Sequence, residues 1–199
     1  MSYLGDLLFV RRDRVDLDTA LRHRGDVRVR ELVDRIPTSA FESQTDEQIA
    51  QEVYKDASMK PLNVAFDQAK AAVEDVLLDV TNVFGERARV KGLRATKTIP
   101  FAGSAELWQF QTNPFDLNPP HGSVCGQTVI IGIDVREQES EQAKTYINDT
   151  IAKMKTYLER QSAQIAAYNH ALPTKIMPVI QQRRARMSSA SDLLKKLQG

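Results

Sequence analysis

Cysteine, histidine and tryptophan are scarce in this chain: one, three and one among 199 residues. A lone Cys125 excludes an intrachain disulfide and any multi-cysteine zinc site, and favours a reducing compartment. His23, His121 and His170 are scattered, and no HExxH pair exists to hold a zinc ion. Phosphate-cradling glycine loops of the GxxxxGK[ST] or GxGxxG kind are absent, as is a GxSxG nucleophile elbow. No apolar run approaches the ~20 residues that span a bilayer. The short run in MSYLGDLLFVRRDR is broken by Asp6 and followed, not preceded, by arginines, the reverse of a secretory signal. A net charge of +1 gives no global attraction to nucleic acid or to an anionic membrane. These absences point to a soluble cytoplasmic protein with no cofactor, no metal and no membrane partner.

What the chain does have is an ordinary globular balance, 42% apolar and 27% charged. Its first forty residues alternate arginines with acids, and Val27, Leu32, Val33 and Ile36 form a helical stripe that Pro37 ends. Thr45 followed by acids opens a second helix, with Ile49 and Val53 on its apolar face and Pro61 as a stop. Beyond residue 64 the period shortens. Val76, Leu78 and Val80 alternate with polar neighbours, and RVKGLRATKTIPF returns with Lys91, Leu93, Ala95 and Lys97 on one face. ELWQF, 106–110, reads as a short strand, and Val129, Ile130, Ile131 and Ile133 suit a central one.

The last third is helical. From Glu141 to Leu172 there is neither glycine nor proline, and Tyr146, Ile147, Ile151, Met154, Leu158, Ile165 and Tyr168 recur three and four apart. Pro173 is expected to interrupt this helix and turn it into a hairpin with a second helix ending in QQRRARM; SSAS then offers N-caps for a last short segment. The fold class expected is α+β: an antiparallel sheet of about four strands packed by N-terminal helices and a long C-terminal helix with a helical hairpin. Residues 1–60 form the N-terminal helical segment, 61–137 the sheet core and 138–199 the helical arm of one composite domain.

Between strands, four of the eight prolines crowd one stretch, TKTIPFAGSAELWQFQTNPFDLNPPHGSV, around the only tryptophan. Trp108 and Phe115 there offer an exposed aromatic contact beside an ordered strand crossing. His121 and Cys125 stand as base and thiol, but on one strand they lie ~13 Å apart, too far for a hydrogen bond; burial as a small apolar residue accounts for Cys125. An acid-then-ExK nuclease hairpin would need a second carboxylate where the chain has Arg89-Val90-Lys91. Arg11, Arg12 and Arg14 are interleaved with acids and expected to pair with them. Arg183, Arg184 and Arg186 have no nearby acid in sequence, which makes them the candidate contact for nucleic acid or an acidic partner. The long helix carries the leading candidate surface, Tyr146, Ile147, Met154 and Leu158, for a second copy of the chain or a separate effector protein. A further alternative is an enzyme site around His121, Trp108 and Asp116.

The order IPFAG, an aromatic segment, NP…PP, an aliphatic strand and a long helix with AYNHAL, RRARM and LLKKLQG is similar to a module of bacterial multidomain anti-phage defence proteins. The resemblance covers residues ~75–199. In those proteins the module precedes an effector such as a TIR domain, whereas this chain ends where the effector would begin. The resemblance implies a non-catalytic accessory, scaffold or sensing module with a separate effector, and it supplies no catalytic residues.

Overall fold

The structure, a computed structural model, describes residues 2–10, 16–81, 85–114 and 117–198. It bears out the α+β class: an antiparallel sheet, helices, and one long C-terminal helix. The chain forms two compact units. One comprises Met1–Asp16 and Pro61–Ser162, the other Leu17–Lys60 and Ala163–Gly199.

The first unit holds the sheet. Among the described residues it has seven strands, not four: β1 (Ser2–Tyr3), β2 (Asp6–Leu7), β3 (Asn63–Val64), β4 (Lys70–Thr81), β5 (Arg87–Ala102), β6 (His121–Cys125) and β7 (Thr128–Val135). The order is β2-β6-β7-β5-β3, with β1 also on β7 and β4 also on β5, and every pairing is antiparallel. Three of the extra strands are only two residues long, too short to carry a period of two. The β1–β2 corner turns at Gly5, at φ +78, where a Cβ would lie 2.4 Å from the Gly122 backbone; only glycine fits there.

Alternation along β7 puts Val129, Ile131, Ile133 and Val135 in the core. Ile133 and Val135 pack with Ala143, Leu93, Ala95 and Tyr146. On the other face Arg94 pairs in register with both Glu74 and Asp134. Its guanidinium binds Asp134 through two hydrogen bonds of 2.8 and 2.9 Å, and that carboxylate raises the arginine's pKa.

ELWQF is not a strand. Ala105–Gln109 winds into a 3-10 turn directly after Gly103, which takes φ +118, and Leu107 and Trp108 point inward. Trp108 meets Phe9 at 5.2 Å and Phe101 edge-on at 5.4 Å, and Phe9 stacks on Tyr157 at 4.8 Å. Burial of Phe9 is so favourable that its backbone adopts φ 58, a left-handed conformation that costs of order 1 kcal/mol for a bulky residue. Gln161 donates its amide to the Leu107 carbonyl at 2.8 Å in the same core.

The second unit is helical: α1 (Leu17–Arg35), α2 (Thr38–Ser43), α3 (Asp46–Ala57) and the distal part of α4 (Ser140–Gln198). α3 starts after Thr45, as the sequence predicts, and Thr45 caps it through a reciprocal capping box with Gln48. The α1 stripe is phased differently from expectation. Leu17, Leu21, Gly25, Val29 and Val33 are buried at a spacing of four, whereas Val27 is exposed. Gly25 belongs to that stripe: a Cβ there would meet the Tyr168 ring at 3.2 Å and Lys175 at 3.3 Å, so α1 lies so close to α4 that any side chain at this point would push its neighbours aside.

The expected hairpin at Pro173 does not form. Pro173 and Pro178 both lie inside α4, which runs unbroken for 59 residues. A proline inside a helix costs ~3 kcal/mol, but Leu172, Ile176 and Ile180 are fully buried, and only the continued helix keeps them on one face.

Candidate functional site

The proposed contact residues divide sharply by burial. Trp108 is 1% exposed and Met154 0%, and Ile147 and Leu158 are also buried. They build the interior, a correction to the expectation that they face a partner. Tyr146 is half-buried, stacked at 5.0 Å on Tyr3, which in turn stacks on His121 at 5.1 Å. Phe115, Asp116, Arg11, Arg12 and Arg14 lie outside the described residues. His121 and Cys125 occupy opposite ends of β6. Cys125 is exposed, not buried, because it ends β6 at the turn into β7, beyond the reach of the short β2, which pairs only with His121 and Gly122. Asp79 of the hairpin is bound by Arg89 at 3.1 Å. Among the described residues no three His, Cys, Asp or Glu side chains group as a metal site.

The arginine trio also divides. Arg183 lies over the Phe41 ring at 4.9 Å and donates to the Val33 carbonyl, which also accepts from the Ile36 N–H, and to the Ile36 carbonyl just past the end of α1. Arg184 binds Asp46 at 2.7 Å and the Phe41 and Gln44 carbonyls. Acids distant in sequence but near in space had escaped the sequence reading. Only Arg186 remains exposed at the surface.

Further clasps hold the helical unit. Asn169 accepts from the Met59 N–H at 3.0 Å and donates to its carbonyl at 2.8 Å, while Tyr168 donates to the Ala57 carbonyl at 3.0 Å. Lys175 binds Asp26 at 2.7 Å, and this hydrogen bond holds the Asp26 carboxyl below its usual range.

Burial raises the pKa of both Tyr168 and Tyr146. Their neutral forms are favoured in the folded state. This stabilisation is complete below the ordinary tyrosine pKa of ~10 and is lost as pH rises through the raised values. Tyrosinate absorbance should therefore show a late-titrating fraction that disappears from the Tyr146→Phe, Tyr168→Phe double variant. An unchanged titration curve would contradict the burial of these hydroxyls.

Beyond Ile180 the helix carries a row that is packed at Arg183, half-buried at Met187 and open at its far end. Ile176, Ile180, Arg183, Met187, Ala190, Leu194 and Leu197 follow one another at alternating steps of four and three. The row is fully buried at Ile176 and Ile180, yet Leu194 is 55% and Leu197 76% exposed, with Leu193 beside them at 58%. Steps of four and three are the spacing of a coiled-coil seam. The sequence contains this seam, but the expected new start at SSAS divides it where the structure has one continuous helix. Around it stand Arg184, Arg186, Lys195 and Lys196 against the single acid Asp192 of this segment, Arg184 being bound to Asp46.

No helix among the described residues is long and apolar enough to cross a membrane. No protein-family model, curated protein or solved structure matches the chain.

Proposed function

We propose that this chain is a non-catalytic protein-interaction module and that the distal seam of α4 receives the partner. The observation that carries this reading is the phase of the seam. It keeps the same steps of four and three from its buried part into its open part, where three leucines face water. Such a row gains its burial energy only from another helix. Charge selects the occupant. With Arg184 already bound to Asp46 and Arg183 to backbone carbonyls, the exposed Arg186, Lys195 and Lys196 against the single acid Asp192 would repel a second copy of the same helix end, whereas an acidic amphipathic helix complements them. The likeness of residues ~75–199 to the module preceding TIR-type effectors supports a separate bacterial defence effector in the cytoplasm as the protein that carries that helix.

Light scattering across a concentration series should return the monomer mass of 22.4 kDa. Affinity capture from the native cell should retain a partner on the wild-type chain and lose it on Leu194→Glu, Leu197→Glu. Anchor residues of this kind are worth ~2 kcal/mol or more each, so retention should fall by over tenfold. Both positions are exposed, so helicity should not change. Equal retention by the variant, or a concentration-dependent dimer abolished by it, would refute the heterologous reading.

A further inference from the structure

We infer that the cleft between α1 and the distal part of α4 binds a phosphate group. The cleft measures about 230 Å³ and is lined by Arg30 and Asp34 of α1 and by Val179, Gln182, Arg183 and Arg186 of α4. Every one of these residues belongs to the helical unit. On α1 the two lining residues stand four apart, and on α4 the four stand at i, i+3, i+4 and i+7, so each helix contributes a single face.

Three arginines against one aspartate leave the lining at a formal +2. Arg183 is tethered to the α1 carbonyls, yet its charge still acts on the cleft. No hydrogen bond or salt bridge joins Arg30 or Arg186 to another described residue. The field of Arg30 reaches Asp26, but that carboxylate is already bonded to Lys175. Two guanidinium forks on opposing helices are thus available to one ligand, with the Gln182 amide between Val179 and Arg183 as a neutral donor.

Ligand chemistry follows from that geometry. A guanidinium meets paired oxygens through two parallel hydrogen bonds. A carboxylate offers one such pair, whereas a phosphate offers oxygens to two arginines at once. Asp34, four residues from Arg30, opposes any anion and so sets a testable sign: its neutralisation should tighten binding. A phosphate can come from a small phosphorylated molecule or from a nucleic-acid backbone. Of the original arginine trio, only Arg186 then faces the ligand directly, and Arg30 is its counterpart.

Isothermal titration of the full chain at low salt, with inorganic phosphate, a nucleoside 5′-monophosphate and the unphosphorylated nucleoside, tests the site. Binding should require the phosphate. Arg30→Ala and Arg186→Ala should each weaken it by about tenfold or more, the loss expected for a charge-assisted contact, and Asp34→Asn should strengthen it. A labelled single-stranded oligonucleotide separates the two sources. A backbone ligand binds with affinity falling linearly in log salt and loses affinity in the same variants; a small-molecule site binds the monophosphate and not the oligonucleotide. Either pattern supports the phosphate site. Absence of binding by every phosphate probe to folded wild-type protein, or equal binding by wild type and both arginine variants, overturns it. Leu194 and Leu197 are not among the cleft residues, so the Leu194→Glu, Leu197→Glu variant should keep phosphate binding while losing the partner, and failure of one reading is distinguishable from failure of the other although Arg186 serves both.

Discussion

Replacing Trp108 with alanine should lower stability by about 3–5 kcal/mol, the range for deleting a large buried aromatic. The indole is held on two sides, by Phe9 at 5.2 Å and Phe101 at 5.4 Å, and Phe9 also stacks on Tyr157 of α4. Removing it opens a void that the rigid strand β5 and the Phe9 backbone, fixed by a hydrogen bond to the Trp108 carbonyl, are poorly placed to fill. One feature opposes this gain. The indole N–H is buried without a hydrogen-bond partner among the described residues, at a cost of ~1–3 kcal/mol. Trp108→Phe keeps most of the ring and removes that donor, so it should cost far less than alanine, within ~1 kcal/mol of wild type. Denaturant unfolding followed by far-UV circular dichroism measures both variants. Equal losses in alanine and phenylalanine would mean that the N–H is satisfied and matters more than packing. A negligible loss in alanine would place Trp108 at the surface, as the proline-rich setting suggests.

That setting shows how far the sequence can be read. In β7 the alternation survives because one face is packed and the strand is long enough to repeat, and in β4 it survives as half-burial at Val76, Leu78 and Val80. Trp108 misleads because ELWQF has strand composition, while the glycine and serine before it start a tight 3-10 turn. The α1 stripe misleads for a different reason: one of its five buried positions is Gly25, which carries no hydrophobic signal and sits in tight contact with Tyr168 and Lys175. At Pro173 a local rule worth ~3 kcal/mol yields to fully buried residues on both sides of it, Leu172 before and Ile176 and Ile180 beyond. The arginine trio depends on tertiary placement alone. Asp46 and the α1 and α2 carbonyls lie more than 130 residues away, so a run without local acids looked unpaired when two of its members were already bonded.

Arg184 is the second position where a large loss is expected, about 2–3 kcal/mol on substitution by alanine. Its guanidinium serves three acceptors: the Asp46 carboxylate at 2.7 Å, the Phe41 carbonyl and the Gln44 carbonyl at 3.2 Å. The carbonyls come from the end of α2, where helical geometry leaves them unpaired and the dipole favours a cation. Asp46 opens α3, where the dipole favours an anion. One planar fork therefore fastens the junction of two short helices to α4. The side chain is 39% exposed, so the ion pair alone contributes less than ~1 kcal/mol after solvent screening; the rest comes from the bonds to the carbonyls and from the face of Phe41 at 5.4 Å. This division predicts a weak salt dependence for the loss. It also predicts that Arg184→Lys recovers less than half of it, because an ammonium keeps the charge but cannot span the three acceptors in one plane. Thermal and denaturant unfolding at low and high salt decide the matter. Full recovery by lysine, or a loss that vanishes in salt, would show that charge alone holds the junction.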